Sequence, residues 1–283
     1  MAKFKDKTIL ITGGAAGIGL CIARNFAKDG AKLILTDVNE KALKDAKTEL
    51  SGHGARVEVF VVNVADQAQV DKMAETVLKK HGKLDVLINN AGVGYMGEIA
   101  STPLAEWKRL MDVDFWGVLY NTYAFLPSMI AAHGGQIINV SSGQAFFQLP
   151  TWGPYAAIKT ALGVFSEVLH WEVRKHGIKV TTVYPYMVNT GLYDDIKTET
   201  IGGKLSMALL PLYSQSPETV GRIIYKAAKS GKHVEMVTII NNFAKYMRTV
   251  GPVGNMVSFM SDLFLTRGKM ADSAGAGGNG GVH

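Results

Sequence analysis

Apolar residues in this chain fall in short unbroken runs, and amphipathic stretches of helix length separate them. The runs are Thr8–Thr12, Lys32–Thr36, Arg56–Val62, Leu84–Asn89, Gln136–Val140, Lys179–Tyr184 and His233–Ile239. They are mostly Val, Ile and Leu rather than alternating apolar and polar, which is the pattern of strands covered on both faces. The stretches between them, Gly17–Lys28, Glu40–Leu50, Gln67–Lys80, Leu104–Ala132, Tyr155–Lys175 and Pro217–Lys229, read as helices. Such alternation predicts an α/β chain: a doubly wound Rossmann fold with a seven-stranded parallel sheet, helices on both faces and right-handed crossovers.

Two segments interrupt the rhythm. Residues 190–216 carry Gly191, Gly202, Gly203 and Pro211 between a strand and a helix, and are expected to form a lid over the substrate site. After the last strand, 241–265 is an apolar extension rich in Met, Phe and Val, and 271–283, mostly glycine and small residues, is expected to be a disordered tail. With 283 residues, 47% of them hydrophobic, the chain suits one well-buried domain over 1–270 rather than two.

Charge and cysteine content narrow the class further. The formal net charge is +6, yet lysines such as Lys41, Lys44, Lys47, Lys72, Lys79 and Lys80 alternate with acids on helical stretches and form no basic block. No nucleic-acid partner is therefore expected. The single cysteine, Cys21, excludes a disulfide framework and fits a reducing, cytoplasmic setting. The apolar run after Lys7 superficially imitates a secretory signal, but it passes directly into Gly13-Gly14-Ala15-Ala16-Gly17, which reads as strand then turn. No stretch reaches the ~20 apolar residues of a membrane span. Contact of the 241–265 extension with a membrane surface is weighed and disfavoured.

Candidate chemistry sits at strand ends. Thr12-Gly13-Gly14-Ala15-Ala16-Gly17-Ile18-Gly19 follows the first strand and opens a helix. That context allows close approach of a pyrophosphate to backbone N–H groups and the positive end of a helix dipole. Asp37 ends the second strand, where a carboxylate accepts hydrogen bonds from ribose hydroxyls and repels a 2′-phosphate; it also suits an ordinary turn. No Lys or Arg lies in Gly14–Ala16 or just after Asp37, so NAD is expected, with NADP disfavoured.

Tyr-x-x-x-Lys occurs at Tyr155/Lys159, Tyr193/Lys197 and Tyr225/Lys229, so the spacing alone selects none of them. Tyr155 differs in context, because it begins a long helix after a strand ending Asn139-Val140-Ser141-Ser142. It can therefore meet Ser142 at the carboxyl edge of the sheet, where open α/β folds bind ligands. Removing hydride from an alcohol also requires a base for its hydroxyl proton. Bringing a phenol from ~10 to ~7 takes about 4 kcal/mol. One ammonium at ~4 Å and an effective dielectric of ~20 supplies about that much. On this reading Lys159 lowers the pKa of Tyr155 and Ser142 orients the substrate oxygen.

With these residues in order, the chain resembles the short-chain dehydrogenase/reductase family in its one-domain NAD(P)-dependent branch. The resemblance spans roughly residues 5–240 and rests on Thr12–Gly19, Asn89-Asn90-Ala91-Gly92, Ser142, Tyr155 with Lys159, and the segment Pro185 to Thr190. It implies an oxidoreductase with Ser142, Tyr155 and Lys159 as the catalytic trio. It further implies cofactor contacts from Gly13, Ala16, Gly17, Ile18, Gly19, Asp37, Asn63, Val64, Asn90, Ala91, Gly92, Pro185, Val188 and Thr190, and a homodimer or homotetramer.

Three departures from the family pattern stand out. Asp114, in Met111-Asp112-Val113-Asp114-Phe115-Trp116-Gly117, occupies the relay position where asparagine is usual. An ionised carboxylate accepts but cannot donate and adds negative charge near Lys159, so an altered pH profile is expected. Asn63-Val64 stands where the family has an aspartate at the adenine edge, and Tyr186 follows Pro185 where glycine is usual.

Substrate contacts are expected from Ser142, Gln144, Leu149, Trp152, Tyr186 and Tyr193, with Tyr95, Met96 and Met187 nearby. This apolar, aromatic set favours a hydrophobic secondary alcohol or ketone. No metal site is expected. Two alternatives stay open: a ketoreductase acting on acyl-carrier or coenzyme A thioesters, and a non-catalytic NAD-binding protein, for which Asp114 is the argument.

Overall fold

The computed structural model describes residues 3–146, 148–190 and 214–237. The expected lid (except its edges), the apolar extension and the tail, together with Tyr193, lie outside the described residues. Along the chain come β1 (Thr8–Thr12), α1 (Gly17–Lys28), β2 (Lys32–Asp37), α2 (Glu40–Gly52), β3 (Arg56–Val61), α3 (Gln67–His81) and β4 (Val86–Asn89). They are followed by α4 (Leu104–Met111), α5 (Gly117–Ala131), β5 (Gly135–Val140), α6 (Gly153–Val173), β6 (Ile178–Tyr184), α7 (Pro217–Ser230) and β7 (Val234–Met236).

Seven parallel strands form one sheet in the order β3-β2-β1-β4-β5-β6-β7. The doubly wound Rossmann architecture is thus present, and the order reverses between β1 and β4, which opens a crevice beyond their carboxyl ends. Alternate strand residues feed opposite cores. Ile9, Ile11, Leu33 and Leu35 pack with α1, α2 and α7, whereas Leu10, Ile34, Leu87 and Ile137 pack with α3, α5 and α6. Burial on both faces explains why these strands read as continuous apolar runs.

Among the described residues, side chains cap the starts of α2, α3 and α7. Asn39 accepts from Ala42 N at 3.0 Å to start α2, Asp66 accepts from Gln69 N to start α3, and Ser216 accepts from Thr219 N to start α7. Helix α1 has no such cap: Ala16 precedes it and no acidic residue lies in its first turn.

The expected single helix Leu104–Ala132 is interrupted. Residues Asp112–Trp116 form a π-helical turn between α4 and α5, and the Gly117 N–H bonds to the Asp112 carbonyl five residues back. Among the described residues no helix is long and apolar enough to cross a membrane.

Candidate active site

A crevice of about 730 Å³ lies along the carboxyl edge of the sheet, a size ordinary for small-molecule clefts (~300–1,000 Å³). At one end it is lined by Gly13, Ala16, Gly17, Ile18 and Asp37, and at the other by Ser142, Tyr155, Lys159 and Asp114. Asn90, Ala91, Gly92, Pro185, Val188 and Thr190 line the stretch between.

Backbone approach builds the first end. Gly19 must be glycine, because a Cβ there would stand 2.0 Å from the Gly13 carbonyl oxygen. The Asn90 amide donates to the Thr12 and Gly13 carbonyl oxygens at 3.0 and 3.1 Å, and Thr12 Oγ1 accepts from the N–H groups of Asn90 and Ala91. These bonds stitch the end of β4 to the end of β1 and hold the glycine turn open. The uncapped first turn of α1 then presents free N–H groups and a positive dipole end to the crevice. Asp37 accepts from Asn39 N at 3.1 Å and Ala15 N at 3.4 Å and keeps its carboxylate on the crevice wall. This donor set fits a dinucleotide: N–H groups for a pyrophosphate and a carboxylate for ribose hydroxyls.

Helix α6 places Tyr155 and Lys159 one turn apart, with the ammonium 5.6 Å from the phenol ring centroid. Two residues past the end of β5, Ser142 lines the same crevice as Tyr155, and its Oγ accepts from Gln144 N at 3.2 Å. Lys159 Nζ lies 2.8 Å from Asp114 Oδ1 and donates to the Val140 carbonyl at 3.3 Å. Asp114 is 0% exposed and also accepts from Val93 N at 3.3 Å. Gly92 leaves the room this needs, since a Cβ there would stand 2.7 Å from Asp114 Oδ1 and 3.5 Å from Lys159 Nζ.

The π-helical turn puts Asp114 in this position. A turn closed over five residues advances the helix face, turning the Asp114 carboxylate toward Lys159.

Electrostatics depart from the simple expectation for Tyr155. Burial pushes its phenol above the usual range, and the negative charge of Asp114 pushes it further, against a smaller opposing effect of the Ser142 hydrogen bond. Burial also raises the Asp114 carboxyl, opposed by its lysine partner. The ammonium expected to lower Tyr155 is paired with Asp114 instead.

Several expected contacts lie elsewhere. Asn63 and Val64 are outside the crevice lining: Asn63 caps its own turn by accepting from Ala65 N, and Val64 packs on Gly117. Leu149 and Trp152 are outside the crevice lining and pack in one apolar cluster with Tyr155, Leu110, Ile158 and the crevice-lining Val93, Tyr95 and Met96; the Trp152 and Tyr155 rings meet edge-on at 5.6 Å. Gln144 is buried and its side chain accepts from Leu149 N. Tyr186 is absent from the lining, as is Gly19, whose part is to let the turn close. Tyr225, in a second Tyr-x-x-x-Lys pattern, packs against Phe4 and Phe26 in the opposite core.

Some of the site escapes sequence reasoning. Asn89 donates to Asn139 at 2.9 Å, Asn139 donates to Ser166 at 2.9 Å, and Ser141 donates to the Lys159 carbonyl at 2.8 Å. This buried series fixes β4, β5 and α6 in register beneath the trio. Glu106 and Arg109, an ion pair at 2.8 Å, line the crevice mouth, where Arg109 donates to the Gly94 carbonyl. Their (i, i+3) spacing is the only sequence sign of them.

Comparison with known proteins points the same way. The short chain dehydrogenase family model matches residues 7–200. A protein described as "Probable oxidoreductase EphD" from Mycobacterium tuberculosis is 31% identical over 245 residues, 83% of this chain but 41% of that protein, so the chain spans less than half of this relative's length. A solved short chain dehydrogenase/reductase from Burkholderia phymatum in complex with NAD is 25% identical, with a TM-score of 0.80 over 88% of this chain and 95% of that one. A metagenomic short-chain oxidoreductase in complex with NADP is 26% identical, with a TM-score of 0.68 over 82% of this chain and 96% of that one. Fold, crevice and family match agree, and the chain belongs to the short chain dehydrogenase family of oxidoreductases.

Proposed function

We propose that this chain transfers hydride between NAD(H) and a hydrophobic secondary alcohol or its ketone. The observation that carries the reading is one crevice bearing a glycine turn and Asp37 at one end and Ser142, Tyr155 and Lys159 at the other. When bound, the nicotinamide supplies or accepts the hydride. Tyr155 gives or takes the hydroxyl proton at its phenolic oxygen, and Ser142 hydrogen-bonds the substrate oxygen so that it faces that phenol. Lys159 holds the polar floor of the site through Asp114 and the Val140 carbonyl. Val93, Tyr95, Met96 and Met187 give the substrate end apolar walls.

Asp37 supports NAD over NADP, since a 2′-phosphate there would face a carboxylate. A cytoplasmic setting is proposed from the single buried thiol, Cys21. A homo-oligomer is proposed through α6, with exposed Val164, Val168 and Trp171, and through α5 with the π-helical turn that leads into it, with exposed Tyr123 and Trp116 respectively. Both rows follow helical spacing, and packing one copy's rows on another's about a two-fold axis would cover them; sedimentation of the purified protein as a monomer would rule this out.

The functional test is NADH formation with a panel of hydrophobic secondary alcohols, and NADH consumption with the matching ketones. Turnover is expected with NAD(H) and weaker with NADP(H). Tight NADH binding without turnover across the panel would instead support a non-catalytic binding protein.

A further inference from the structure

The charged side chains around Tyr155 come in two pairs. Lys159 from α6 meets Asp114 from the π-helical turn at 2.8 Å, and Arg109 meets Glu106 on α4 at 2.8 Å. Among the described residues, the remaining crevice-lining charge is Asp37, at the opposite end, and the other titratable crevice-lining group on the substrate side is Tyr95. Ser142, two residues past the end of β5, lines the crevice with Tyr155 and carries no charge.

Asp114 and Lys159 are 0% and 4% exposed, so water screens their mutual interaction little. The buried pair is neutral as a whole wherever its proton sits, as carboxylate with ammonium or as carboxylic acid with amine. An asparagine at position 114 would leave the ammonium uncompensated one helical turn from the phenol.

We propose that Asp114 is a positioning residue that cancels the charge of Lys159, so that Tyr155 receives no net positive field and the site works as a proton donor to a carbonyl rather than as a base toward an alcohol. This rests on the proposed function above and assigns it a working direction. In that direction the carbonyl carbon accepts a hydride, two electrons and one proton, from reduced nicotinamide, which is oxidised to NAD. The carbonyl oxygen takes the phenolic proton of Tyr155 as the C=O π bond breaks. The resulting phenolate recovers one proton from solvent, so each turnover consumes one carbonyl, one NADH and one proton. Oxidation needs the phenolate at the start and is therefore an alkaline activity. Reduction needs the phenol and holds level across neutral pH.

The test compares kcat/KM against pH in both directions for the wild-type protein and Asp114→Asn. The asparagine variant is expected to move the rising limb of oxidation down by about one to three pH units, the size of an opposite-charge effect on a neighbouring group. Oxidation at neutral pH should then rise about tenfold or more, while NADH affinity stays unchanged. Coincident limbs in the two proteins would overturn the role of Asp114.

Because the variant could fail to fold, the tyrosinate absorbance of the wild-type protein is also titrated against Tyr155→Phe. Ionisation of Tyr155 at or above the ordinary phenol value of ~10 is expected, and ionisation near neutrality would overturn the proposal. Undiminished turnover by Tyr155→Phe removes the proposed function itself. An inactive Tyr155→Phe with coincident limbs removes only the charge cancellation.

Discussion

The two ends of the crevice are built from different materials. At the cofactor end the groups that face the ligand are mostly backbone: free N–H groups of α1 and a glycine turn stitched by Asn90. At the reaction end they are side chains, and the decisive ones are buried charges held by tertiary contacts among α6, β5 and the π-helical turn. Backbone sites are set by which residues are small, so their faults are steric. Side-chain relays are set by charge and protonation, so their faults appear in pH profiles before they appear in affinity.

The sharpest break of this comparison is Tyr155→Phe. Loss of a general acid/base costs about 10²–10⁴-fold in kcat, and the Kd for NADH, read by fluorescence titration, should stay within error of wild type. A parallel loss of NADH binding would mean that the ends are not separable. Next in size, Ser142→Ala is expected to cost about 10²-fold in kcat, as for removal of one preorganised hydrogen-bond donor, again with little change in NADH affinity.

Gly19→Ala works from the other end. Its Cβ cannot be placed 2.0 Å from the Gly13 oxygen, so the turn must shift. Overpacking of this kind costs about 1–3 kcal/mol of stability, visible in denaturant unfolding, and NADH should bind more weakly. The smallest expected effect is Asp37→Ser, which should narrow the preference for NAD over NADP by about tenfold in kcat/KM ratio, in line with ~1.5–3 kcal/mol for hydrogen bonds to a charged group. An unchanged ratio would take Asp37 out of cofactor selection.

The same division governs what the sequence discloses. Strands buried on both faces announce themselves as unbroken Val, Ile and Leu, and the sheet followed from that pattern together with the family resemblance. The glycine turn is legible because Gly13, Gly17 and Gly19 fall within seven consecutive residues. Tyr155 could be separated from Tyr225 because it follows Ser142 at a strand end; Tyr225 lies apart from the crevice lining, its half-buried ring edge-on to Phe4 and Phe26.

What escaped is three-dimensional. Nothing in the apolar pattern of Leu104–Ala132 marks the five-residue turn at Asp112–Trp116, because one extra residue in a helix leaves the periodicity on either side intact. Leu149 and Trp152 have the composition of a substrate pocket, yet they pack in the cluster around the tyrosine and do not line the crevice. Apolar side chains serve either purpose, and only the backbone path decides between them. The Glu106–Arg109 pair reads as ordinary surface charge until α4 is seen to rim the crevice.

The series Asn89, Asn139 and Ser166 has a mechanical consequence. These groups are almost wholly removed from water, and each is matched to the next across β4, β5 and α6. Parting any two would strand a donor or acceptor in an apolar interior, a penalty of about 1–3 kcal/mol each. The three elements therefore behave as a single anvil, on which the tyrosine and lysine are mounted. That anvil gives way only when the whole sheet does.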